Sequence, residues 1–243
     1  MEFLEFKNKL ELIFNKNGLG EMLNDDRAEK LYRLTEIMLE VNEKMNLTAI
    51  TDIDGIILKH YADSLTVSKY ITNGARMIDV GCGAGFPTIP LAIFREDVEI
   101  TALDGTAKRI KYVEETAIAL GLTNVKAVAA RAEELGRDAA YREKFDIATA
   151  RAVAALPVLS ELCLPFVKKN GSFVAMKAAR GSEELSLAKN SISILGGTID
   201  SCIELDLVSD NEPERRIIIN VVKIANTSNK YPRHYSQISK KPL

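Results

Sequence analysis

Apolar residues in the first third of the chain recur at helical spacing. Phe3, Phe6, Leu10, Ile13 and Phe14 fall at three- and four-residue steps and make one stripe, interrupted by Asn17-Gly18 and Gly20. A second stripe runs through Ala28, Leu31, Tyr32, Leu34, Thr35, Met38 and Val41, with Asp25 or Asp26 as the expected N-cap. The segment Asn46-Leu47-Thr48-Ala49-Ile50 has no clear period. A third helical stretch is predicted to contain Ile56, Ile57, His60, Asp63, Leu65 and Val67, and Asn73-Gly74 punctuates the chain after it.

From Arg76 onward short β-rich runs alternate with helical ones. Strands are predicted at Met77-Val80, Val98-Leu103, Val125-Ala129, Phe145-Ala148 and Ser172-Met176. Helices are predicted between them, over Pro87-Phe94, Ala107-Leu120, Leu156-Val167 and Glu183-Leu195. Such alternation argues for a parallel sheet with helices on both faces. Two further strands, Thr198-Leu205 and Arg216-Ile224, are separated by a short polar stretch and are expected to pair as an antiparallel hairpin. The expected organisation is a helical extension over 1–74 packed on the main domain, an α/β domain over 75–225 and a basic tail over 226–243. That tail has lost its apolar pattern and reads as solvated and partly disordered, with a basic arm for RNA phosphates as the alternative.

Composition narrows the class. The chain has 243 residues, 47% of them hydrophobic and 27% charged, as in an ordinary globular protein. No apolar run approaches the roughly 20 residues that span a bilayer. Acids stand at the N-terminus where a signal peptide has bases, so no membrane association and a cytoplasmic location are expected. A net charge of −2 gives no global case for nucleic-acid binding, which would need a local patch. Cys82, Cys163 and Cys202 are too sparse for a disulfide framework, and neither His60 nor His234 stands near a cysteine, so no metal is expected.

The candidate chemistry starts at Asp79-Val80-Gly81-Cys82-Gly83-Ala84-Gly85, where the first strand turns into a helix. In an open α/β sheet, ligands bind outside the carboxyl ends of the strands, and glycines let the backbone turn tightly there. A dinucleotide fingerprint needs a third glycine where Phe86 stands, and no Gly-Lys-Ser/Thr ending makes this a phosphate loop. Asp79 before the loop suits a cationic sulfonium cofactor that carries an ammonium group. Asp104 ends the second strand, placed to accept from ribose hydroxyls, with Gly105 and Thr106 beside the same sugar. Ala132 and Glu133, after the third strand, are placed to border an adenine. S-adenosylmethionine is the favoured ligand, with a nicotinamide oxidoreductase and a non-catalytic RNA-binding module as alternatives.

These motifs together resemble the bacterial glucose-inhibited division protein B family of small-subunit rRNA guanine-N7 methyltransferases. The resemblance rests on Met45-Asn46-Leu47-Thr48, His60-x-x-Asp63-Ser64-Leu65, the glycine loop with Phe86-Pro87, Ile89-Pro90-Leu91, Asp104 with Lys108-Arg109, Arg131-Ala132-Glu133 and Ala150-Arg151-Ala152. It implies a Rossmann-like class I S-adenosylmethionine-dependent methyltransferase sheet with helices on both faces and an N-terminal helical extension. It implies cofactor contacts at Gly81, Phe86, Asp104, Gly105, Thr106, Ala132, Glu133 and Arg151. It also implies methylation of N7 of a guanine in the 530 loop of 16S rRNA, acting on that rRNA or on the small ribosomal subunit. A monomer is expected, although no sequence feature decides the oligomeric state. The family's serine after the strand-two aspartate is Gly105 here, which removes a hydroxyl from the site.

The chemistry agrees with such a substrate. An exocyclic amine calls for an Asn/Asp-Pro-Pro-aromatic motif, and Thr149-Ala150-Arg151-Ala152 stands in its place. Pyrimidine C5 needs a reactive cysteine, and Cys163 lies in an apolar helix pattern. Guanine N7 carries a free lone pair and needs neither. A methyltransferase acting on a protein or small molecule remains the alternative within the same cofactor class. Arg151 is placed to contact the cofactor, the base or a phosphate, and Lys177 and Arg180 to sit on the same rim. His60 is read as structural, able to bond locally with Asp63.

Overall fold

The computed structural model describes residues 1–179, 181–210 and 212–243, with the side chain of Ser182 left aside. Helix α1 (Phe3–Lys16) buries Phe6, Leu10, Ile13 and Phe14 from the first stripe. Helix α2 (Asp25–Met45) has its cap one residue before the expected Asp25 or Asp26. Asn24 is the N-cap and its side chain accepts from the Arg27 N–H at 2.9 Å. Asp25 and Asp26 instead fill the first turn, where the helix dipole favours acids. The helix stops at Asn46, which takes the left-handed conformation at φ 48°.

The third predicted helix is one continuous run with an unusual middle. Helix α3 (Ile53–Gly55) is capped by the Asp52 carboxylate, passes into a π-helical stretch (Ile56–Ala62) and ends as α4 (Asp63–Leu65). Ile56, Ile57, His60, Asp63 and Leu65 are all buried, so the run is enclosed. π-Turns of this kind recur at functional sites, and this one displays Lys59, His60 and Asp63.

The α/β part holds seven strands: β1 (Arg76–Val80), β2 (Glu99–Asp104), β3 (Val125–Ala129), β4 (Phe145–Arg151), β5 (Val167–Ala178), β6 (Gly197–Leu207) and β7 (Glu214–Lys223). Their order in the sheet is β3-β2-β1-β4-β5-β7-β6, parallel from β3 to β5, with β7 antiparallel to both β5 and β6. The connecting helices are α5 (Thr88–Phe94), α6 (Ala107–Ala119), α7 (Ala132–Leu135), α8 (Leu156–Cys163) and α9 (Gly181–Ile194). Two boundaries differ usefully from expectation. Strand β4 continues past Ala148, so Arg151 is its last residue. Helix α8 stops at Cys163 because Pro165 has no N–H to extend it, and a 3-10 turn (Leu164–Phe166) leads into a longer β5.

Strand periodicity divides the core in two. Met77, Ile100 and Ile218 join the core under α1, α2, the 53–65 run, α5 and α6. Their neighbours Ile78, Leu103, Ile217 and Ile219 join the core under α8, α9 and α10 (Tyr235–Lys240). Helices therefore cover both faces. The last stretch, expected to be solvated, packs on this second face. Ile238 is fully buried, and Arg233 forks onto the buried carboxylate of Glu161 at 2.6 Å and 2.9 Å. Among the described residues no helix is long and apolar enough to cross a membrane.

Candidate active site

Strand β1 lies between β2 and β4, so the chain leaves it at the point where strand order reverses. The loop that follows needs its glycines. Gly81 and Gly83 are left-handed, at φ 77° and 56°. A Cβ on Gly81 would lie 2.6 Å from Val153 Cγ2, whereas one on Gly83 would meet nothing closer than 3.9 Å. The N–H groups of Gly81 and Cys82 donate to the Leu103 carbonyl at 2.7 and 3.0 Å, which ties the loop to the end of β2. There the Asp104 carboxylate accepts from Gly83 N–H at 3.1 Å and Thr106 N–H at 2.8 Å. Each oxygen keeps capacity for a further donor.

The loop forms one wall of a cleft of about 1190 Å³. Its lining includes Asp104 and Arg109 from the β2–α6 side, Gly81 to Ala84 and Phe86 from the glycine loop, and Arg151 to Ala154, Met176 to Ala179, Glu184, Glu214 and Arg216 from the β4, β5, α9 and β7 side. Leu47, Thr48 and Ile50 from the connection between α2 and α3, and Lys59, His60 and Asp63 from the helical run after it, complete the lining. Pockets for single small ligands run to roughly 1,000 Å³, so this one has room for a cofactor and part of a second reactant.

Of the expected site residues, Gly81, Phe86, Asp104 and Arg151 line the cleft. Gly105, Thr106, Ala132 and Glu133 lie outside its lining, the first two between β2 and α6 and the last two in the first turn of α7. Ala130 N–H donates to the Asp104 carbonyl at 3.1 Å, and a Cβ on Gly105 would touch the Arg131 side chain at 3.2 Å. Glu133 is buried, with Arg131 Nε 3.4 Å from its carboxylate.

Asp79 differs from expectation. It is fully buried and is not part of the cleft wall. The Thr88 hydroxyl donates to one oxygen at 2.7 Å and the other has no partner. Burial pushes its carboxyl up to about 6. It braces the loop from behind.

Arg151 is held rather than loose. Its Nη1 donates to the Lys59 carbonyl at 2.7 Å and to Asp63 Oδ2 at 3.1 Å, and its guanidinium sits 5.4 Å from the Phe86 ring centroid. His60 stacks on the same Phe86 ring at 4.4 Å, with 7° between the planes. His60 does not bond Asp63, as the sequence suggested. Its Nε2 meets the Thr48 hydroxyl at 2.9 Å and its Nδ1 lies 3.5 Å from Arg151 Nη2. Burial, then the Arg151 charge, lowers its pKa to about 3, so the ring is neutral.

Lys177 is no free rim cation. It is buried, donates to the Ala154 carbonyl at 2.7 Å and pairs with Glu184 at 2.8 Å. Arg180 lies outside the described residues. Cys163 is fully buried and its thiol is pushed well up, so it is inert; Cys202 is exposed and far from the cleft lining. Sequence reasoning missed Glu214 and Arg216, which reach the cleft from β7, and gave Lys59 and Asp63 no role there. Among the described residues no three His, Cys, Asp or Glu side chains gather to hold a metal.

Residues 27–217 match the family model described as "rRNA small subunit methyltransferase G". The chain belongs to this family. Ribosomal RNA small subunit methyltransferase G of Acetivibrio thermocellus is 43% identical over 244 residues, covering all of both chains. Its namesake from a Geobacillus strain is 46% identical over 226 residues, covering 92% of this chain and 94% of its own. Among solved structures, a SAM-dependent methyltransferase from Aquifex aeolicus superposes with a TM-score of 0.53 at 16% identity, covering 77% of this chain and 98% of its own. That likeness speaks to the fold. The methyltransferase G family and the class I sheet agree with the resemblance read from the motifs.

Proposed function

We propose that this chain is an S-adenosylmethionine-dependent methyltransferase of 16S rRNA that modifies N7 of a guanine in the 530 loop, acting as a monomer in the cytoplasm. The cofactor supplies the methyl group when bound. The residues fit it: Gly81 and Gly83 open the loop backbone to a close ligand, and the Asp104 carboxylate keeps free acceptor capacity for ribose hydroxyls. Gly105 and Thr106 flank that sugar, Ala132 and Glu133 the adenine, and Phe86 and Arg151 the opposite end. The acceptor base then takes the half of the cleft between β4 and β7.

The observation that carries the reading is that, among the described residues, the cleft is built without a free acid–base pair. His60 is neutral and engaged by Thr48, and Lys59, Asp63, Arg151, Lys177, Glu184, Glu214 and Arg216 are tied to one another. Guanine N7 has no proton to remove, so its methylation needs alignment of a lone pair, which a rigid cleft supplies. The test offers labelled S-adenosylmethionine with small subunits or 16S rRNA from a strain lacking the endogenous activity. Borohydride–aniline cleavage then maps any N7-methylguanine. Cleavage at the 530 loop is expected; label incorporated elsewhere, or none with cofactor bound, overturns the assignment.

A further inference from the structure

We propose that Asp63 is a positioning residue for Arg151, which makes the N-terminal helical run a working part of the active centre. The inference rests on the reading above only in taking Arg151 to face the reactants. Asp63 is 4% exposed and comes from the turn after the π-helical stretch. Its two oxygens serve two arginines from two strands: Oδ2 takes Arg151 Nη1 from the end of β4, and Oδ1 takes Arg216 Nε from β7, both at 3.1 Å. The same Arg151 nitrogen is fixed a second time by the Lys59 carbonyl, one helical turn back. A guanidinium with two acceptors on one nitrogen and an aromatic ring beside it has a single orientation. Arg216 is in turn balanced by Glu214, which also pairs with Lys59 at 2.5 Å.

The placement of this cluster argues for a reactant rather than for stability alone. Lys59, Arg151 and Arg216 pair with Asp63 and Glu214, and Arg151 also feels the charge of the buried Asp79 behind the glycine loop, so the cluster is close to balanced and lines the cleft. A buried pair without function is often replaceable by apolar residues at no loss. One that lines a cleft, with an arginine locked in a single orientation, is placed to hold a group of a bound reactant. Asp63 thereby sets where that arginine points without touching the reactant itself.

The test uses the full chain with Asp63→Asn, and with Asp63→Asn/Arg216→Gln, which removes one charge of each sign and guards against misfolding of the single variant. Both are expected to bind rRNA with KM near wild type. Their kcat should fall by about ten- to a hundred-fold, the range a small misplacement of a reacting group produces. In an Arg151→Ala background Asp63→Asn should cost nothing further. Arginine side-chain NMR is the second readout: slowly rotating Arg151 Nη–H signals in wild type, lost in both variants. Unchanged kcat in the charge-balanced variant, a loss that multiplies with Arg151→Ala, or persistent Arg151 signals overturns the proposal. A wild-type chain inactive on rRNA defeats the functional reading, and the NMR result then decides the positioning claim by itself.

Discussion

Two glycines and one aspartate separate effects that a motif merges. Gly81→Ala meets both a left-handed φ and a Cβ 2.6 Å from Val153, whereas Gly83→Ala meets the φ alone. A left-handed alanine costs roughly 1–2 kcal/mol, so Gly83→Ala should lose about that much stability. Gly81→Ala should lose more and should bind S-adenosylhomocysteine more weakly. Calorimetry and thermal melts check both, and equal losses would remove Val153 from the argument. Asp79 makes a pH prediction. Its folded pKa, about 6, is above the ordinary 3.8, so the folded state holds its proton more tightly. That contribution to stability is present at low pH and is lost as pH rises through about 6. His60 has the opposite sign: with a folded pKa of about 3 it opposes folding as pH falls below the ordinary 6.5. Asp79→Asn should therefore gain stability relative to wild type between pH 5 and pH 8. The difference approaches on the order of 3 kcal/mol. Urea midpoints across that range check the trend, and a constant offset would mean that Asp79 does not titrate there.

Elements are where the sequence read best and also where it failed. Strands β1 to β3, the loop and Asp104 were legible because each signal is local: a short apolar run, glycines at a turn, an acid about one βα unit further on. Arg151 was legible as a residue but not in its surroundings, because Asp63 lies 88 positions away and Arg216 another 153 from Asp63. No spacing rule reaches so far. His60 and Asp63, three apart, suggested a mutual bond, yet tertiary partners took both. The basic tail misled for the same reason. Its polar composition reads as solvated, but a buried acid in α8 waits for it. Glu161 accepts the Arg233 backbone N–H and its guanidinium, and Arg142 bonds the Thr227, Ser228 and Tyr231 carbonyls. Arg233→Ala would strand a fully buried carboxylate, a loss of about 3 kcal/mol or more. Hydrogen exchange should show protection lost first over 226–243, and Glu161→Gln in the same chain should recover part of the stability. If Arg233→Ala leaves exchange over that segment unchanged, the fork does not anchor it.

At the scale of the whole molecule, net charge and cleft shape together constrain how RNA is engaged. The chain carries −2 overall, and the cations of the cleft are mostly consumed by its own acids. Arg109, which lines the cleft, and Lys108 beside it form no ion pair among the described residues. Few phosphates are then neutralised on binding, and the slope of log affinity against log salt, about 0.9 per phosphate for a duplex and 0.7 for a single strand, should be shallow. Weak backbone attraction leaves the fit of the base to carry recognition. In an A-form helix N7 faces a deep, narrow groove that side chains do not enter. The cleft is lined by the glycine loop on one side and by Thr48, Lys59, His60 and Asp63 on another, so on the proposed reading the target guanine leaves its stack to enter it. An RNA with the guanine in an unpaired loop should be methylated at a rate that falls steeply once a complementary strand closes the loop. Both substrates should bind with similarly shallow salt dependence. Equal rates on the closed duplex would mean that the base is reached in place, and the narrow groove that holds N7 in an A-form helix argues against that outcome.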